Sequence, residues 1–204
     1  MDSFFSTYWL DILGTMIGFV YIYQEYKAQI GLWITGIIMP VVYMFVYINA
    51  GLYADFAMQV YYAVAAIYGF IEWYLRKTPE AIEEGGEVTT IEKELPITHY
   101  PKRTLYYSLL TFLVMWGVIY LLLIKFTNST VPVADSFGNA LSFIGLWALS
   151  RKYIEQWWIW MVVDTELSIL YFYKGIPFTS GLYAAYVVIC FFGYMKWKKM
   201  MQEQ

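Results

Sequence analysis

Apolar residues run along this chain in seven long blocks that are separated by polar connections. Each block has roughly the 17 to 25 residues that a helix needs to cross the hydrocarbon core of a membrane. The pattern therefore predicts seven membrane-spanning helices. Their expected ranges are 7–24, 30–49, 54–75, 104–126, 133–149, 156–173 and 177–197.

One connection is much longer than the others and is rich in charged residues, glycine, proline and threonine. It covers residues 76–103, and we expect a solvated loop that contains at most a short amphipathic segment. His99, the single histidine of the chain, lies in this loop. It is interpreted as a structural or solvated side chain rather than as a ligand.

The basic residues indicate which side of the membrane each connection faces. With the N-terminus outside, eleven of the thirteen Lys and Arg residues fall inside, and only Lys125 and Lys174 fall outside. Connections on the cytoplasmic side carry an excess of Lys and Arg. We therefore expect a multi-pass membrane protein with its N-terminus outside and its C-terminus in the cytoplasm. The inner set is Lys27, Arg76, Lys77, Lys93, Lys102, Arg103, Arg151, Lys152, Lys196, Lys198 and Lys199.

The amino-acid composition points to the same class. Hydrophobic residues make up 60% of the chain and charged residues only 14%, whereas soluble domains average about 25% charged residues. The expected fold class is an all-α integral membrane protein in a lipid bilayer.

The net charge of -3 disfavours nucleic acid as a partner. Cys190 is the single cysteine and is expected to be a small packing residue.

The first three predicted helices repeat as the last three. An alignment of the chain with itself at an offset of 124 residues, without gaps, brings identical or similar residues together. The pairs are Asp11–Asp135, Gly14–Gly138, Lys27–Arg151, Trp33–Trp157, Tyr47–Tyr171, Gly51–Gly175, Tyr62–Tyr186, Gly69–Gly193 and Trp73–Trp197. A fourth helix between two three-helix repeats lets both keep the same orientation, as in transporters with parallel repeats. Two three-helix repeats that face each other would enclose a central transport pathway. The alternative is that the duplicated helices serve as a scaffold without transport.

The predicted organisation follows from this repeat. Residues 1–75 form the first three-helix repeat, residues 76–103 the cytoplasmic loop and residues 104–130 the linker helix. Residues 131–199 form the second repeat, and residues 200–204 are a cytoplasmic tail.

The sixth predicted helix carries the strongest candidate binding face. On a helical wheel its two indoles, carboxylate, hydroxyl and phenol fall within about 80°. These residues are Trp157, Trp160, Asp164, Ser168 and Tyr171. A charge at the centre of a membrane helix costs about 2.5 to 3.5 kcal/mol, so it should face a cavity or a partner. Indole faces attract cations, and the combination indicates a site for an organic cation.

Plainer interpretations of these residues stay open. The tryptophans also fit an interfacial aromatic belt, which is the better interpretation for Trp158. Asp164 also fits a purely structural hydrogen bond. Glu166 falls on the opposite side of the helix, where it is expected to pair with another helix or with a neighbouring subunit.

Two other predicted helices offer polar candidates. Asp55, Gln59 and Tyr62 share one face of the third helix, and Asp55 also fits a helix cap. Asn139 and Ser142 are candidates in the fifth helix.

One position makes the two halves unequal at the predicted site. Pro40 is expected to kink the second helix, and at the offset of 124 it corresponds to Asp164. The site is therefore expected to be asymmetric, which fits an asymmetric ligand.

The chain has no motif for nucleotide hydrolysis, metal binding or nucleophilic catalysis. We therefore expect neither an enzyme nor a bound cofactor or metal.

The chain resembles the PnuC family of bacterial vitamin transporters over nearly all of its length. The resemblance rests on GLYADFAMQVYYAVAAIYGFIEW, on EQWWIWMVVD with its W-x-x-W, on the YKG turn and on GYMKWKK. It implies a 3+1+3 arrangement like that of SWEET sugar transporters, and facilitated diffusion of nicotinamide riboside, thiamin or riboflavin. A cytoplasmic kinase would trap the vitamin, and the family resemblance also implies a possible homotrimer.

Within this family resemblance, the choice between the candidate substrates depends on the residue at a single position. Nicotinamide riboside members carry Asn four residues after the second Trp of W-x-x-W, whereas this chain has Asp164. A carboxylate suits the cationic ring and the N–H donors of thiamin, so the thiamin branch, PnuT, is the first expectation. Nicotinamide riboside, also a cation, is the alternative. A membrane receptor without transport is a second alternative, and proton coupling through Asp164 is an alternative to uniport.

Overall fold

A computed structural model describes residues 16–49, 53–84, 87–127, 129–173 and 177–204. Helix α1 is described over residues 16–26. It is followed by α2 (Gly31–Asn49), α3 (Tyr53–Leu75), α4 (Lys102–Phe126), α5 (Pro132–Ser150), α6 (Gln156–Tyr173) and α7 (Pro177–Gln202). The six helices from α2 to α7 match the predicted ranges, the largest difference being the five extra residues at the end of α7. The start of the first predicted helix, with Asp11 and Gly14, lies outside the described residues.

The long connection contains a β-hairpin, which the expectation of a solvated loop with a short amphipathic segment did not include. Strand β1 (Thr78–Glu84) pairs antiparallel with β2 (Glu87–Lys93), with Thr78 opposite Lys93 and Glu84 opposite Glu87. The sequence explains the hairpin, because the second segment is rich in Val, Thr and Ile and Gly85-Gly86 stands between the two. Two glycines between strand-forming segments favour a tight hairpin.

The chain divides into two compact units, Met1–Glu94 and Leu95–Gln204. In the first unit α2 packs against α3, and α2 continues helically through Pro40. In the second unit α4 packs on α5, α5 on α6, and α6 on α7.

The helices expose apolar surface that water would not favour. Helix α4 has no buried residue and contains an 18-residue stretch with a mean hydropathy of 2.2. Among the described residues it is the helix long and apolar enough to cross a membrane by length and composition. The apolar stretch Gly31–Phe45 is shorter. Large apolar side chains are also exposed on α2, α3, α6 and α7. Exposed apolar surface on this scale indicates an apolar environment or a partner surface.

A short segment, residues 95–101, ties the start of α4 to the turn between α5 and α6; we call it the strap. The N–H of Thr98 donates to the carbonyl of Lys152 (3.1 Å), and the N–H of Ile154 donates to the carbonyl of Thr98 (3.0 Å). Glu155 accepts from the N–H of Tyr100 at 2.9 Å and lies 2.7 Å from Nδ1 of His99. His99 is thus an exposed structural side chain, as expected from the sequence.

The strap ends in the half-buried phenol of Tyr100. The ring of Tyr100 packs against Tyr153 with centroids 4.7 Å apart, and its hydroxyl is 2.7 Å from the hydroxyl of Ser108. Burial raises the pKa of Tyr100, so its hydroxyl stays protonated and able to donate. The strap therefore joins the second unit through both backbone and side-chain contacts.

The predicted repeat is visible in the backbone of two turns. Ala28 and Lys152, which are 124 positions apart, both have a left-handed φ, at 52° and 51°. Both turns close with the same hydrogen bond, from the N–H of Gln29 to the carbonyl of Gln24 (2.9 Å) and from Tyr153 to Ala148 (3.0 Å). Non-glycine residues rarely adopt this conformation, so its recurrence at matched positions supports a duplicated turn and helix pair. The full three-helix extent of the repeat stays a prediction.

Candidate substrate-binding face of helix α6

The predicted face of α6 lies mainly against α7. Trp157, Asp164, Ser168 and Tyr171 all contact residues of α7, so the helical wheel grouped them correctly. Trp160 differs, because it packs against α5.

Trp157 is a packing residue in this structure. Its side chain is 1% exposed and meets Trp197 edge to face, with ring centroids 5.7 Å apart. A Cβ placed on Gly193 would lie 2.5 Å from the indole, so the ring fills a notch that only glycine leaves open. Its expected role in stacking a substrate stays a prediction, and a free ring face would require α6 and α7 to move apart.

Asp164 is buried in the α6–α7 interface and is 7% exposed. Its Oδ2 accepts a hydrogen bond from the thiol of Cys190 on α7, with a sulfur–oxygen distance of 3.4 Å. A buried carboxylate requires hydrogen bonds or a counter-charge. Among the described residues this thiol contact is the one hydrogen bond to the carboxylate.

The outer part of the face is held to α7 by hydroxyls and rings. The hydroxyl of Ser168 donates to the carbonyl of Ser180 (2.9 Å), and the hydroxyl of Ser180 donates back to the carbonyl of Ser168 (2.8 Å). Tyr171 stacks on Tyr183, with centroids 5.4 Å apart and rings within 10° of parallel. These contacts fix the C-terminal half of α6 against α7.

Trp160 packs on Gly145 of α5. A Cβ at Gly145 would lie 3.1 Å from the indole. The indole N–H of Trp160 is buried, and no described residue accepts its hydrogen bond. The expected role of Trp160 in binding a substrate stays a prediction.

The remaining candidates are placed as follows. Asn139 donates to the carbonyl of Asp135 (2.7 Å) and Ser142 to the carbonyl of Gly138 (2.8 Å), both within α5. In the first unit Gln59 and Tyr62 lie half-buried on α3. The side chain of Asp55, and residues Gly51, Lys174 and Gly175, lie outside the described residues.

Glu166 points away from Asp164, as the wheel predicted, and lies against α5. A Cβ at Gly138 would come within 2.6 Å of its Oε2. The expected pairing of Glu166 with another helix or with a neighbouring subunit stays a prediction.

Sequence reasoning missed the contribution of α7. Cys190 appeared as a packing residue, and Ser180 and Tyr183 carried no signal. A helical wheel identifies one face of one helix and contains no information about the residues that a neighbouring helix brings to it.

The polar and aromatic groups of α6 are of the kinds that recognise an organic cation with hydrogen-bonding groups. Asp164 and the phenol ring of Tyr171 lie towards α7, whereas the buried indole N–H of Trp160 lies on the side that faces α5. Charge, hydrogen-bond direction and aromatic surface are the three properties that such a ligand requires.

Comparisons with known proteins show the family of this chain. The family model "Nicotinamide mononucleotide transporter" matches residues 8–199. The nicotinamide riboside transporter PnuC of Escherichia coli is 21% identical over 96% of this chain and 87% of its own length. PnuC of Neisseria mucosa is also 21% identical, over 96% of this chain and 74% of its own length.

A solved structure supports the fold. The crystal structure of the vitamin B3 transporter PnuC superposes with a TM-score of 0.72 at 22% identity, covering 98% of this chain and 85% of that one. The relatives are transporters rather than enzymes. With a family match that covers most of its length, this chain belongs to the nicotinamide mononucleotide transporter family.

Proposed function

We propose that this protein is an inner-membrane uptake transporter for nicotinamide riboside or a close chemical relative. The observation that carries the proposal is the buried polar and aromatic face of α6 in a chain whose family match covers residues 8–199. The named relatives support nicotinamide riboside better than thiamin, which the sequence alone had favoured.

The chemistry of nicotinamide riboside matches the face. Its pyridinium ring is a cation, which suits Asp164 and the aromatic rings. Its carboxamide and ribose hydroxyls donate and accept hydrogen bonds, which suits the free carboxylate oxygen and the indole N–H of Trp160. The proposed substrate-binding residues are Trp157, Trp160, Asp164, Gln59, Tyr62, Ser168, Tyr171 and Asn139.

Thiamin is the second candidate, and Asp164 is the observation that favours it. A carboxylate accepts the N–H bonds of an aminopyrimidine and neutralises a thiazolium charge. Asn, which the resemblance associates with nicotinamide riboside, would lack the charge.

The proposed transport cycle is uniport by facilitated diffusion. The organisation is 3+1+3, with the N-terminus outside as the distribution of Lys and Arg predicts. Accumulation depends on a cytoplasmic kinase that phosphorylates the vitamin, because uniport alone only equilibrates it. Assembly as a homotrimer belongs to the same proposal.

Binding to the purified, detergent-solubilised protein tests the substrate. We expect nicotinamide riboside to bind at least about tenfold more tightly than thiamin, a difference of about 1.4 kcal/mol. The reverse order would transfer the assignment to thiamin. Absence of binding by both would overturn the proposal of a cationic vitamin.

Proteoliposomes test the mechanism. Labelled vitamin should equilibrate across the membrane in kinase-free vesicles and should be unaffected by a pH gradient. Binding without crossing would identify a receptor, and a response to the pH gradient would identify proton coupling.

A further inference from the structure

The pair formed by Asp164 and Cys190 is a feature of the second half of the chain alone. At the offset of 124 residues, Asp164 corresponds to Pro40 and Cys190 to Ala66. Ala66 and Cys190 are both buried, at 4% and 1% exposure. The first half thus has alanine where the thiol stands, and proline, which has no side-chain acceptor, where the carboxylate stands.

The thiol and the carboxylate are in contact. The thiol of Cys190 donates to Oδ2 of Asp164 across 3.4 Å, from α7 to α6. Oδ1 has no hydrogen-bond partner among the described residues. A thiol is a weak donor. It can therefore orient the carboxylate while leaving most of the negative charge to interact with a bound cation.

We propose that Cys190 is a positioning residue: it holds the Asp164 carboxylate so that Oδ1 is presented to the cationic, hydrogen-bonding substrate. The identity of the ligand rests on the proposed function. The positioning itself rests on the contact between the two side chains.

Two substitutions separate hydrogen bonding from packing. Cys190→Ala removes the donor and should weaken binding of nicotinamide riboside about threefold to tenfold, the range of an ordinary hydrogen bond, because a thiol is a weak donor. Cys190→Ser keeps a donor and should restore binding to within about twofold of the unsubstituted protein. Equal weakening by both variants would overturn the proposal, because loss of packing would then explain the effect.

A double-mutant cycle tests whether Cys190 acts through Asp164. If it does, Cys190→Ala should have no further effect on binding in protein that already carries Asp164→Ala. An effect of the same size in both backgrounds would overturn the proposal. Residual binding by the Asp164→Ala variant is measured with the ligand at concentrations about a hundredfold higher, so that the cycle can be closed.

A matched control removes another buried small polar group from the same unit. Ser136→Ala eliminates a hydroxyl that bonds within α5 to the carbonyl of Val133, and its binding should equal that of the unsubstituted protein. Thermal unfolding of every variant identifies loss of folding. Wild-type protein that binds neither vitamin would contradict the proposed function, whereas wild-type binding with an unaffected Cys190→Ala variant would contradict this inference alone.

Discussion

Helices α2 and α3 pair through the same contact as α6 and α7, yet the residues around that contact differ. Trp33 fills a notch at Gly69 and meets Trp73 edge to face at 5.5 Å, and Trp157 does the same with Gly193 and Trp197 at 5.7 Å. Neither indole N–H has a hydrogen-bond partner among the described residues. The shared notch is therefore a device for holding two helices together.

The differences between the pairs lie one or two turns from the notch. Tyr21 packs on Gly36 in the first half, whereas Gly145 receives Trp160 in the second, so the aromatic ring and the glycine have exchanged helices. Leu32 corresponds to Gln156, both fully buried. The comparison teaches that the two halves share the packing contact, and that the second half has Gln156 and Asp164 beside it where the first half has Leu32 and Pro40.

Removal of the indole should have the largest effect. Trp33→Ala is expected to lower the free energy of unfolding by about 3 to 5 kcal/mol, because it empties a fully buried ring position. Trp157→Ala should cost about the same stability and should also reduce vitamin binding, whereas the surviving folded fraction of Trp33→Ala should bind normally. Thermal unfolding and binding titration measure the two effects. If only one of the two substitutions lowered the free energy of unfolding, the two indoles would not have equivalent packing roles.

Filling the notch should have the next largest effect. Gly69→Ala and Gly193→Ala should each destabilise by about 1 to 3 kcal/mol, because the new methyl overlaps a ring that is held on its other side. Gly181→Ala is the control, since a Cβ there meets nothing within 4 Å. Alanine in this open helical position should leave stability unchanged or raise it by up to about 1 kcal/mol. Destabilisation by all three variants would show that helix flexibility, not the notch, is responsible.

Exchanging the residues between Gln156, the first residue of α6, and its counterpart Leu32 tests whether the buried amide costs stability. Gln156 is 0% exposed, and neither amide atom has a hydrogen-bond partner among the described residues. Gln156→Leu, which copies the first half, should therefore raise stability by about 1 to 2 kcal/mol. Leu32→Gln should lower stability by a similar amount. A loss of stability in Gln156→Leu would show that the amide is satisfied in the folded protein.

The smallest effect should come from the strap. Glu155 corresponds to Gly31 in the first half. Glu155→Ala removes the acceptor for the N–H of Tyr100 and the contact with His99, and should cost about 1 kcal/mol because the site is partly exposed. Hydrogen exchange at the amide of Tyr100 should accelerate. Unchanged exchange would mean that the backbone bonds of Thr98 hold the strap alone.

Periodicity and self-alignment predicted the helices and the local repeat, because apolar runs and glycine–tryptophan spacing are encoded in sequence order. The wheel also placed Trp157, Asp164 and Ser168 on one face. The wheel did not predict that the Trp157 ring would fill the notch at Gly193 and pack against Trp197, because such contacts depend on which helix lies opposite. The hairpin at residues 78–93 was missed because the abundance of charged residues outweighed the alternation of Val, Thr and Ile.

The strap also has a consequence for how this protein can be altered. The second unit secures its own beginning from Ile97 onward, since the N–H of Ile97 donates to the side chain of Gln204 and Thr98 pairs with Tyr153. The start of α4 is thus fixed by residues downstream of the hairpin. A fluorescent reporter or an affinity domain inserted between the two strands would then leave α4 anchored. The hairpin is therefore a suitable insertion site for a label that follows the protein in cells.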